Sequence, residues 1–231
     1  MKRKRTNKKN SNQLRLQITN LAAKLMYEEG ISQYFDAKRI AAKRLLKQGG
    51  GGNIWFKDLP SNGEISNALN RLADLHEGDA RHGTLFAMRM IALDIMENLM
   101  PFKPRLIGSV STGRIRNGSD IDIHVFTDDI ESLECHIKSL AWHYETEQVA
   151  IQTSGKIEMF THIHIDYYFP VELSVYPTRQ LRIQVRSSTD GKPIVRMRPQ
   201  ALQELVISEH NEYWIDYLQT GEIAGFPDIN Y

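Results

Sequence analysis

Apolar and polar residues alternate strictly in the stretch DIDIHVF, which runs from Asp120 to Phe126. Side chains on a β-strand point alternately to the two faces of a sheet, so this pattern predicts a strand whose isoleucines and valine face a core. Asp120, Asp122 and His124 then share the opposite face. Two carboxylates at that spacing lie about 7 Å apart, a separation that one or two divalent cations can bridge. The pattern therefore predicts a half-buried strand that carries a metal site.

A glycine-containing segment precedes this strand. The stretch PRLIG predicts a short strand that ends at Gly108, and SVSTGRIRNGS leaves room for a turn and a short helix. Gly108 and Ser109 stand at the junction, where backbone amides and a hydroxyl can point toward an anion at the positive end of a helix. The segment therefore predicts a phosphate-binding loop beside the metal site.

The composition is that of a globular protein with a sizeable core. The chain has 231 residues, of which 41% are hydrophobic and 25% are charged. No apolar run approaches the roughly 18 residues of a membrane-spanning helix, and no signal-peptide core follows the N-terminus. Cys135 is the only cysteine, which excludes an internal disulfide and a cysteine-based zinc site and fits a reducing compartment. We therefore expect a cytoplasmic protein that has no membrane association.

Positive charge is concentrated at the N-terminus. The net charge of the chain is +1, but the first ten residues contain six lysines and arginines and no acid, so the remainder is net acidic. Such basic runs are usually solvated and disordered, although they can also contact nucleic acid or an anionic surface. We expect a disordered basic tail over residues 1–12.

Helical periodicity dominates residues 13–100. Apolar residues at three-to-four spacing predict a first helix that ends near Gly30, and a second helix over 33–47 with Phe35 on its buried stripe. Four glycines follow at 49–52. Because no Lys-Ser or Lys-Thr pair completes a nucleotide-binding loop there, the glycines are typical of a flexible linker.

Two more helices are predicted before the first strand. Ser61 and Glu64 form a capping box that starts one of them, and the apolar stripe from Leu85 to Leu99 predicts the other. The methionines on that stripe are typical of core filling. We therefore predict a helical region that ends at residue 100 and a sheet-containing domain over 101–231.

The loop and the DIDIHVF strand resemble the nucleotidyltransferase superfamily of DNA polymerase beta. Short members of that superfamily share a Gly-Ser pair followed along the chain by Asp-x-Asp or Asp-x-Glu. The matching positions are Gly108 and Ser109 in the loop, Gly113 and Ser119 where the motif often has small residues, and Asp120 and Asp122 as the metal-binding pair. The resemblance covers residues 101–177.

This resemblance implies both a fold and an activity. It implies an α+β domain with a polymerase-beta-like mixed sheet and flanking helices. The implied reaction moves a nucleoside monophosphate from an NTP to a hydroxyl of an acceptor and releases pyrophosphate. The loop residues would bind the nucleotide, and the carboxylates would hold magnesium, with manganese as the alternative. The acceptor could be a small molecule, an RNA or a protein.

The resemblance also implies a third acid on a neighbouring strand. In VELSVYP, alternation places Glu172 opposite a core face, as the third-acid pattern requires. Asp166 competes with it, because Asp166 shares a face with His162 and His164 in HIHID. We favour Glu172, whose role would be general base for the acceptor hydroxyl or third metal ligand. The two histidines and Asp166 could instead form a zinc site, or line a polar pocket.

Two features follow the region of resemblance. The stretch TRQLRIQVRSSTDGKPIVRMRP predicts a basic hairpin with its turn at Asp190 and Gly191. Its arginines are either solvated or positioned to clamp a triphosphate. The stretch PQALQELVISEHNEYWIDYLQTG predicts one helix that packs on the sheet through apolar side chains including Leu218. Tyr213 or Trp214 could alternatively stack on a nucleobase.

Two other functions fit the same residues. A non-catalytic nucleotide or RNA sensor could keep this fold and bind through the basic tail and the hairpin, although a complete set of acids favours an enzyme. A transferase that modifies a partner protein, as in a regulatory or toxin-antitoxin pair, would use the helical region for docking. The fold alone does not select the acceptor, because the superfamily modifies several acceptor classes with one core.

Overall fold

The computed structural model of this chain describes residues 2–48, 59–153, 156–187 and 191–226. The chain divides into two compact units, Met1–Gly78 with Ser187–Lys192, and Asp79–Arg186 with Pro193–Tyr231. The predicted glycine linker over 49–52 and Asp190 of the predicted turn lie outside the described residues.

Helices build the first unit. They are α1 (Lys2–Glu28), α2 (Tyr34–Gln48) and the first part of α3 (Asn62–Asn98). Their apolar faces share one core, which confirms the predicted helical periodicity. The buried stripe of α2 is centred on Ala37 and Ala41, which are fully buried. Phe35 is 71% exposed, so its predicted place on that stripe is wrong.

The start of α1 differs from the sequence prediction. The helix begins at Lys2, so residues 2–12 are helical backbone where the sequence predicts a disordered tail. No glycine or proline occurs before Gly30, and lysine and arginine have good helix propensity. The local sequence therefore contains no helix-breaking residue that would keep residues 2–12 out of α1.

Helix α3 contains a kink at Gly78, whose backbone is non-helical with φ 45° and ψ −124°. The sequence predicts two separate helices here, and this glycine joins them because it tolerates a positive φ. The stripe from Leu85 to Leu99 belongs to the core of the second unit. The division therefore falls at Gly78 instead of at residue 100. Neither α3 nor any other described helix is both long and apolar enough to cross a membrane.

A mixed sheet, with five strands among the described residues, forms the centre of the second unit. The strands are β1 (Arg105–Leu106), β2 (Ile121–Phe126), β3 (His143–Thr153), β4 (Lys156–Asp166) and β5 (Val171–Tyr176). They lie in the order β1-β2-β5-β4-β3, in which β2 and β5 pair in parallel and the other neighbours pair antiparallel. The chain is therefore α+β with a mixed sheet, as the sequence predicts.

Helices pack with this sheet around one core. They are the second part of α3, α4 (Gly108–Thr112), α5 (Ile130–Ser139), α6 (Pro199–Glu209) and α7 (Asn211–Thr220). Ile121, Ile123 and Val125 of β2 are fully buried, which confirms the core face that the alternation predicts. The same core contains Leu133 of α5 and Leu202 of α6. The acid-bearing face of β2 is therefore the one turned away from α5 and α6.

The C-terminal segment has two helices where the sequence predicts one. His210, with φ −127° and ψ 38°, separates α6 from α7. Leu202 is buried as predicted, but Leu218 is 64% exposed, so its predicted packing on the sheet is wrong. Tyr213 and Trp214 pack against the core of the second unit. Core packing therefore accounts for both aromatic side chains without a nucleobase.

The predicted basic hairpin is less regular than its sequence suggests. Thr178–Arg182 forms a 3-10 helix, and a short antiparallel pairing follows it, in which the bridge between Arg186 and Pro193 is flanked by the hydrogen bonds from the Ile194 N–H to the Val185 carbonyl and from the Ser187 N–H to the Lys192 carbonyl. Gly191 has a φ of 70°, as a turn position requires. A second isolated bridge joins Met197 to β1. The segment therefore contains a short antiparallel pairing on both sides of the predicted turn, and its second arm returns to the sheet edge.

Candidate active site

Three carboxylates converge where β2 and β5 begin. The parallel register of these strands sets Asp122 directly beside Glu172, and Asp120 lies two residues before Asp122 on the same face. One oxygen atom from each of the three carboxylates lies within 4.8 Å of the other two. The strand pairing therefore assembles an acid cluster, defined as Asp120, Asp122 and Glu172, that a single cation could contact.

The electrostatics of the acid cluster favour a bound cation. Burial, and next the negative charges of Asp120 and Glu172, together raise the pKa of the Asp122 carboxyl from 3.8 to about 7. A divalent cation among the three groups would offset both effects. Carboxylate oxygens are also the ligands that magnesium and manganese prefer in proteins. The donor set therefore fits the metal that the sequence resemblance implies.

Gly108 lies against the acid cluster. Its φ is +72°, and a Cβ atom at this position would lie 2.0 Å from Oδ2 of Asp122. The neighbouring Ile107 N–H donates to the backbone carbonyl of Asp122 at 2.9 Å. Only glycine supplies both the left-handed backbone and the space for the carboxylate. The predicted loop and the predicted acids are therefore in direct contact.

Ser109 is the next residue of α4 and is half-buried. Its carbonyl accepts from the Arg114 N–H at 2.8 Å and from the Thr112 hydroxyl at 3.3 Å. Within the described residues, the Ser109 hydroxyl itself donates no hydrogen bond. The hydroxyl is therefore free to contact a ligand beside the cluster.

Gly113 and Ser119 shape the loop between α4 and β2. Gly113 caps α4 in the left-handed conformation, with a φ of 72°, and its N–H donates to the Ser109 carbonyl. Ser119 closes the following turn, because its Oγ accepts from the Arg116 N–H at 2.9 Å. These contacts account for a small residue at each position. Nucleotide binding by Gly113 and Ser119 stays a prediction.

The two candidates for the third acid occupy different places. Glu172 belongs to the acid cluster, whereas Asp166 at the end of β4 does not. Asp166 instead lines a cavity of about 470 Å³ whose wall also includes Asp120 and Glu172. His143 and His164 line the same cavity. The geometry therefore favours Glu172 as the third acid, with Asp166 on the wall of an adjoining pocket.

The histidines of HIHID do not form a zinc site. Over the described part of the chain, the acid cluster is the one group of three histidine, cysteine, aspartate or glutamate side chains placed to hold a metal ion. His162 turns toward Glu172, with Nδ1 at 2.6 Å from Oε1. His164 instead approaches Glu147, at 3.6 Å. The zinc alternative is therefore wrong, because the two rings serve different neighbours.

Arg196 packs against the polar face of the sheet, beside His124. No pattern in the sequence predicted this position. Its Nε donates to Nδ1 of His124 at 3.1 Å, and its guanidinium stacks 4.9 Å above the Phe126 ring. A terminal nitrogen donates to the carbonyls of Gln180 and Ile183. The contacts of Arg196 are thus made within the protein, although its Nη2 is buried and has no hydrogen-bond partner among the described residues. Arg179, Arg182, Arg186 and Arg198 are exposed, and a triphosphate clamp stays a prediction.

His124 is neutral first because it is buried and next because of its charged neighbour Arg196. Burial and then the Arg196 charge lower the pKa of the His124 imidazole to about 3. A neutral ring can accept the Arg196 hydrogen bond through Nδ1, whereas a protonated ring cannot. The sequence places His124 on the acid-bearing face but gives no sign of its burial, because the covering arginine comes from a distant segment.

No protein-family model matches this chain, and no curated protein or solved structure does so either.

Proposed function

We propose that this protein is a metal-dependent nucleotidyltransferase on a polymerase-beta-like fold. It would move a nucleoside monophosphate from an NTP to a hydroxyl of an acceptor and release pyrophosphate. The observation that carries the proposal is the acid cluster, in which three carboxylates from adjacent parallel strands converge within 4.8 Å. The contact between Gly108 and Asp122 supports it, because the phosphate loop and the metal site must adjoin for this chemistry.

Asp120 and Asp122 would hold the metal ions, and Glu172 would act as the base. The metal, when bound, stabilises negative charge on phosphate oxygens and lowers the pKa of the acceptor hydroxyl. Glu172 takes the hydroxyl proton while the acceptor oxygen attacks the α-phosphorus. A bond from phosphorus to the acceptor oxygen forms, and the bond to the bridging oxygen breaks. Pyrophosphate leaves with that electron pair.

The loop side of the site would bind the triphosphate. The Ser109 hydroxyl has no partner among the described residues, and Gly108 presents backbone without a side chain beside Asp122. An acceptor would enter through the cavity that adjoins the cluster, since Asp120 and Glu172 form part of its wall. Glu172 would then lie beside the acceptor hydroxyl, where it can take the proton without blocking the approach of the acceptor oxygen to the α-phosphorus.

The test is transfer of label from each NTP, radiolabelled at the α-phosphate, in the presence of magnesium. Host RNA, a small-molecule extract and a protein lysate serve as separate acceptor fractions, and pyrophosphate release is measured in parallel. Asp122→Asn should reduce turnover to background while the fold is retained. Asp216→Asn, an exposed aspartate on α7, is the matched control and should keep full activity.

Each result of this assay has a definite meaning. Label in one fraction supports the transferase and names the acceptor class, with protein label pointing to a partner-modifying enzyme. NTP binding without turnover in any fraction contradicts the transferase and indicates a nucleotide sensor. Undiminished turnover in Asp122→Asn would remove the metal-pair assignment. Full activity in Glu172→Gln would remove the proposed base.

A further inference from the structure

The contact between His162 and Glu172 has an unusual geometry. In the antiparallel pairing of β4 and β5, His164 stands directly opposite Glu172, and His162 stands opposite Ser174. The ring that reaches the Glu172 carboxylate is nevertheless the diagonal one, with His162 Nδ1 at 2.6 Å from Oε1. The two side chains are 15% and 25% exposed. The contact is therefore mostly shielded from water.

The two oxygens of Glu172 have different surroundings. With Glu172 ionised, as its proposed role as a base requires, the carboxylate offers only lone pairs, so a nitrogen at 2.6 Å makes an attractive contact only when Nδ1 of His162 carries a hydrogen. Ser174 Oγ donates to the same oxygen, Oε1, at 3.4 Å. Within the described residues, Oε2 accepts no hydrogen bond. Oε1 thus contacts side chains of β4 and β5, whereas Oε2 is available to a ligand.

The second ring nitrogen of His162, Nε2, has no described residue to which it could pass a proton. Nε2 is buried and has no hydrogen-bond partner among the described residues. A proton relay from Glu172 through the ring would need an acceptor at Nε2 to pass the proton onward. Without that acceptor, the effect of the ring on Glu172 is confined to holding its orientation.

We propose that His162 is a positioning residue, which holds Oε1 of Glu172 so that Oε2 faces the acceptor hydroxyl. This inference rests on the proposed role of Glu172 as the base. A base must lie within hydrogen-bond reach of the proton that it takes, and a displacement of about 1 Å can cost about 100-fold in rate. The carboxylate would otherwise rotate freely between its neighbours.

The first arm of the test needs no activity. In metal-free protein with ¹⁵N-labelled histidine, NMR should show one imidazole proton bonded to Nδ1 of His162 and protected from exchange with water. The resonance should be absent in His162→Asn and shifted in Glu172→Gln, but retained in Asp122→Asn. An unprotonated Nδ1 at His162, or a resonance unaffected by Glu172→Gln, would overturn the inference even if the protein is a transferase.

The second arm measures steady-state kinetics with the acceptor fraction that becomes labelled in the assay described under the proposed function. His162→Leu should lower kcat by about 10- to 100-fold and leave KM for the NTP within about twofold. His162→Asn, whose amide nitrogen can replace Nδ1, should recover most of that loss. Gln148→Leu removes a hydrogen bond to Thr161 between β3 and β4 and is the control for sheet disruption. It should keep full activity.

The outcomes separate this inference from the proposed function. Unchanged kcat in His162→Leu, an equal loss in Gln148→Leu, or no recovery in His162→Asn would each overturn the positioning role. If wild-type protein has no turnover at all, the proposed function fails. The NMR arm then still decides whether His162 holds Glu172.

Discussion

Asp122 shows how burial and neighbouring negative charges together disfavour the ionised form of a single carboxyl group. Its position on β2 is set by the alternation that buries Ile121 and Ile123, so the strand cannot turn the carboxylate away from its acidic neighbours. Burial and the charges of Asp120 and Glu172 raise its pKa to about 7. A fold that gained only stability would place an apolar or amide side chain here. This cost is the one that the proposed cation would offset.

Asp122 should make the metal-free protein less stable as pH rises. Its folded pKa of about 7 exceeds the ordinary value of 3.8, so the unfolded chain releases this proton first. The contribution of Asp122 is fully present below about pH 4 and is lost progressively up to about pH 7. In EDTA, urea unfolding from pH 4 to 8 should show Asp122→Asn gaining stability relative to wild type as pH increases.

Magnesium provides the control for this pH effect. At pH 8 it should stabilise the wild-type protein, where Asp122 is ionised, more than at pH 5. Asp122→Asn should show a smaller difference between the two values. Parallel stability curves for the two proteins in EDTA would contradict the raised pKa.

At the scale of the element, the β1–α4–β2 unit depends on one close approach. Gly108 begins α4 with its backbone against the Asp122 carboxylate, and Gly113 ends that helix in the left-handed conformation. The helix is therefore confined to one short turn between the two strands. This compact connection brings the loop and the acids together without any long-range contact.

Gly108→Ala should disable the site through a steric clash. The added Cβ atom would lie 2.0 Å from Oδ2 of Asp122, so the carboxylate or the loop must move. Gly118→Ala is the matched control, because Gly118 has a similar φ of +76° and nothing within 4 Å of the added atom. Both variants should lose about 1 kcal/mol of unfolding free energy from backbone strain.

The two glycine variants should differ in activity and in further loss of stability. Gly108→Ala should lose turnover in the pyrophosphate assay. Its free energy of unfolding, measured with urea, should be lower than that of Gly118→Ala. Gly118→Ala should retain turnover. Equal activity in the two variants would show that the approach of Gly108 to Asp122 is not required.

At the scale of the second unit, a buried arginine joins three helical elements. Arg89 of α3 is 1% exposed. Its Nε donates to the Val110 carbonyl of α4 at 3.2 Å, and a terminal nitrogen donates to Glu209 of α6 at 2.7 Å. The same nitrogen lies 3.0 Å from Nε2 of His210, whose pKa is lowered to about 4, first by burial and then by the Arg89 charge. A neutral His210 can accept the contact.

Glu209→Gln should destabilise the whole second unit. The substitution removes the counter-charge of the buried Arg89, and its effect is moderated because Glu209 is 51% exposed. We expect a loss of about 1–2 kcal/mol in the free energy of unfolding, measured with urea. Glu204→Gln, an exposed glutamate on the same helix, should leave stability unchanged. Equal stability of the two variants would show that the Arg89 pair contributes nothing.

Local patterns in the sequence were sufficient for most elements and for naming the three acids that the structure brings together. Alternation predicted the buried face of β2, and the capping box marks the start of α3, where Ser61 and Glu64 exchange hydrogen bonds. The wrong predictions concern positions where residues distant in the sequence decide whether a side chain is buried or where a helix ends. Phe35 fits the apolar period of α2, yet the small Ala37 and Ala41 face the core instead. The single C-terminal helix was predicted because no glycine or proline marks the break at His210.

The sequence by itself determined that acids and a glycine-serine loop adjoin an apolar strand, because period and spacing act over a few residues. Tertiary structure alone decided that Asp122 lies beside Glu172, since the parallel pairing of β2 and β5 joins segments far apart in the chain. It also decided that Arg196 covers His124 and that Arg89 meets Glu209. Such contacts depend on which strands and helices pack together, and local periodicity carries no information about that choice.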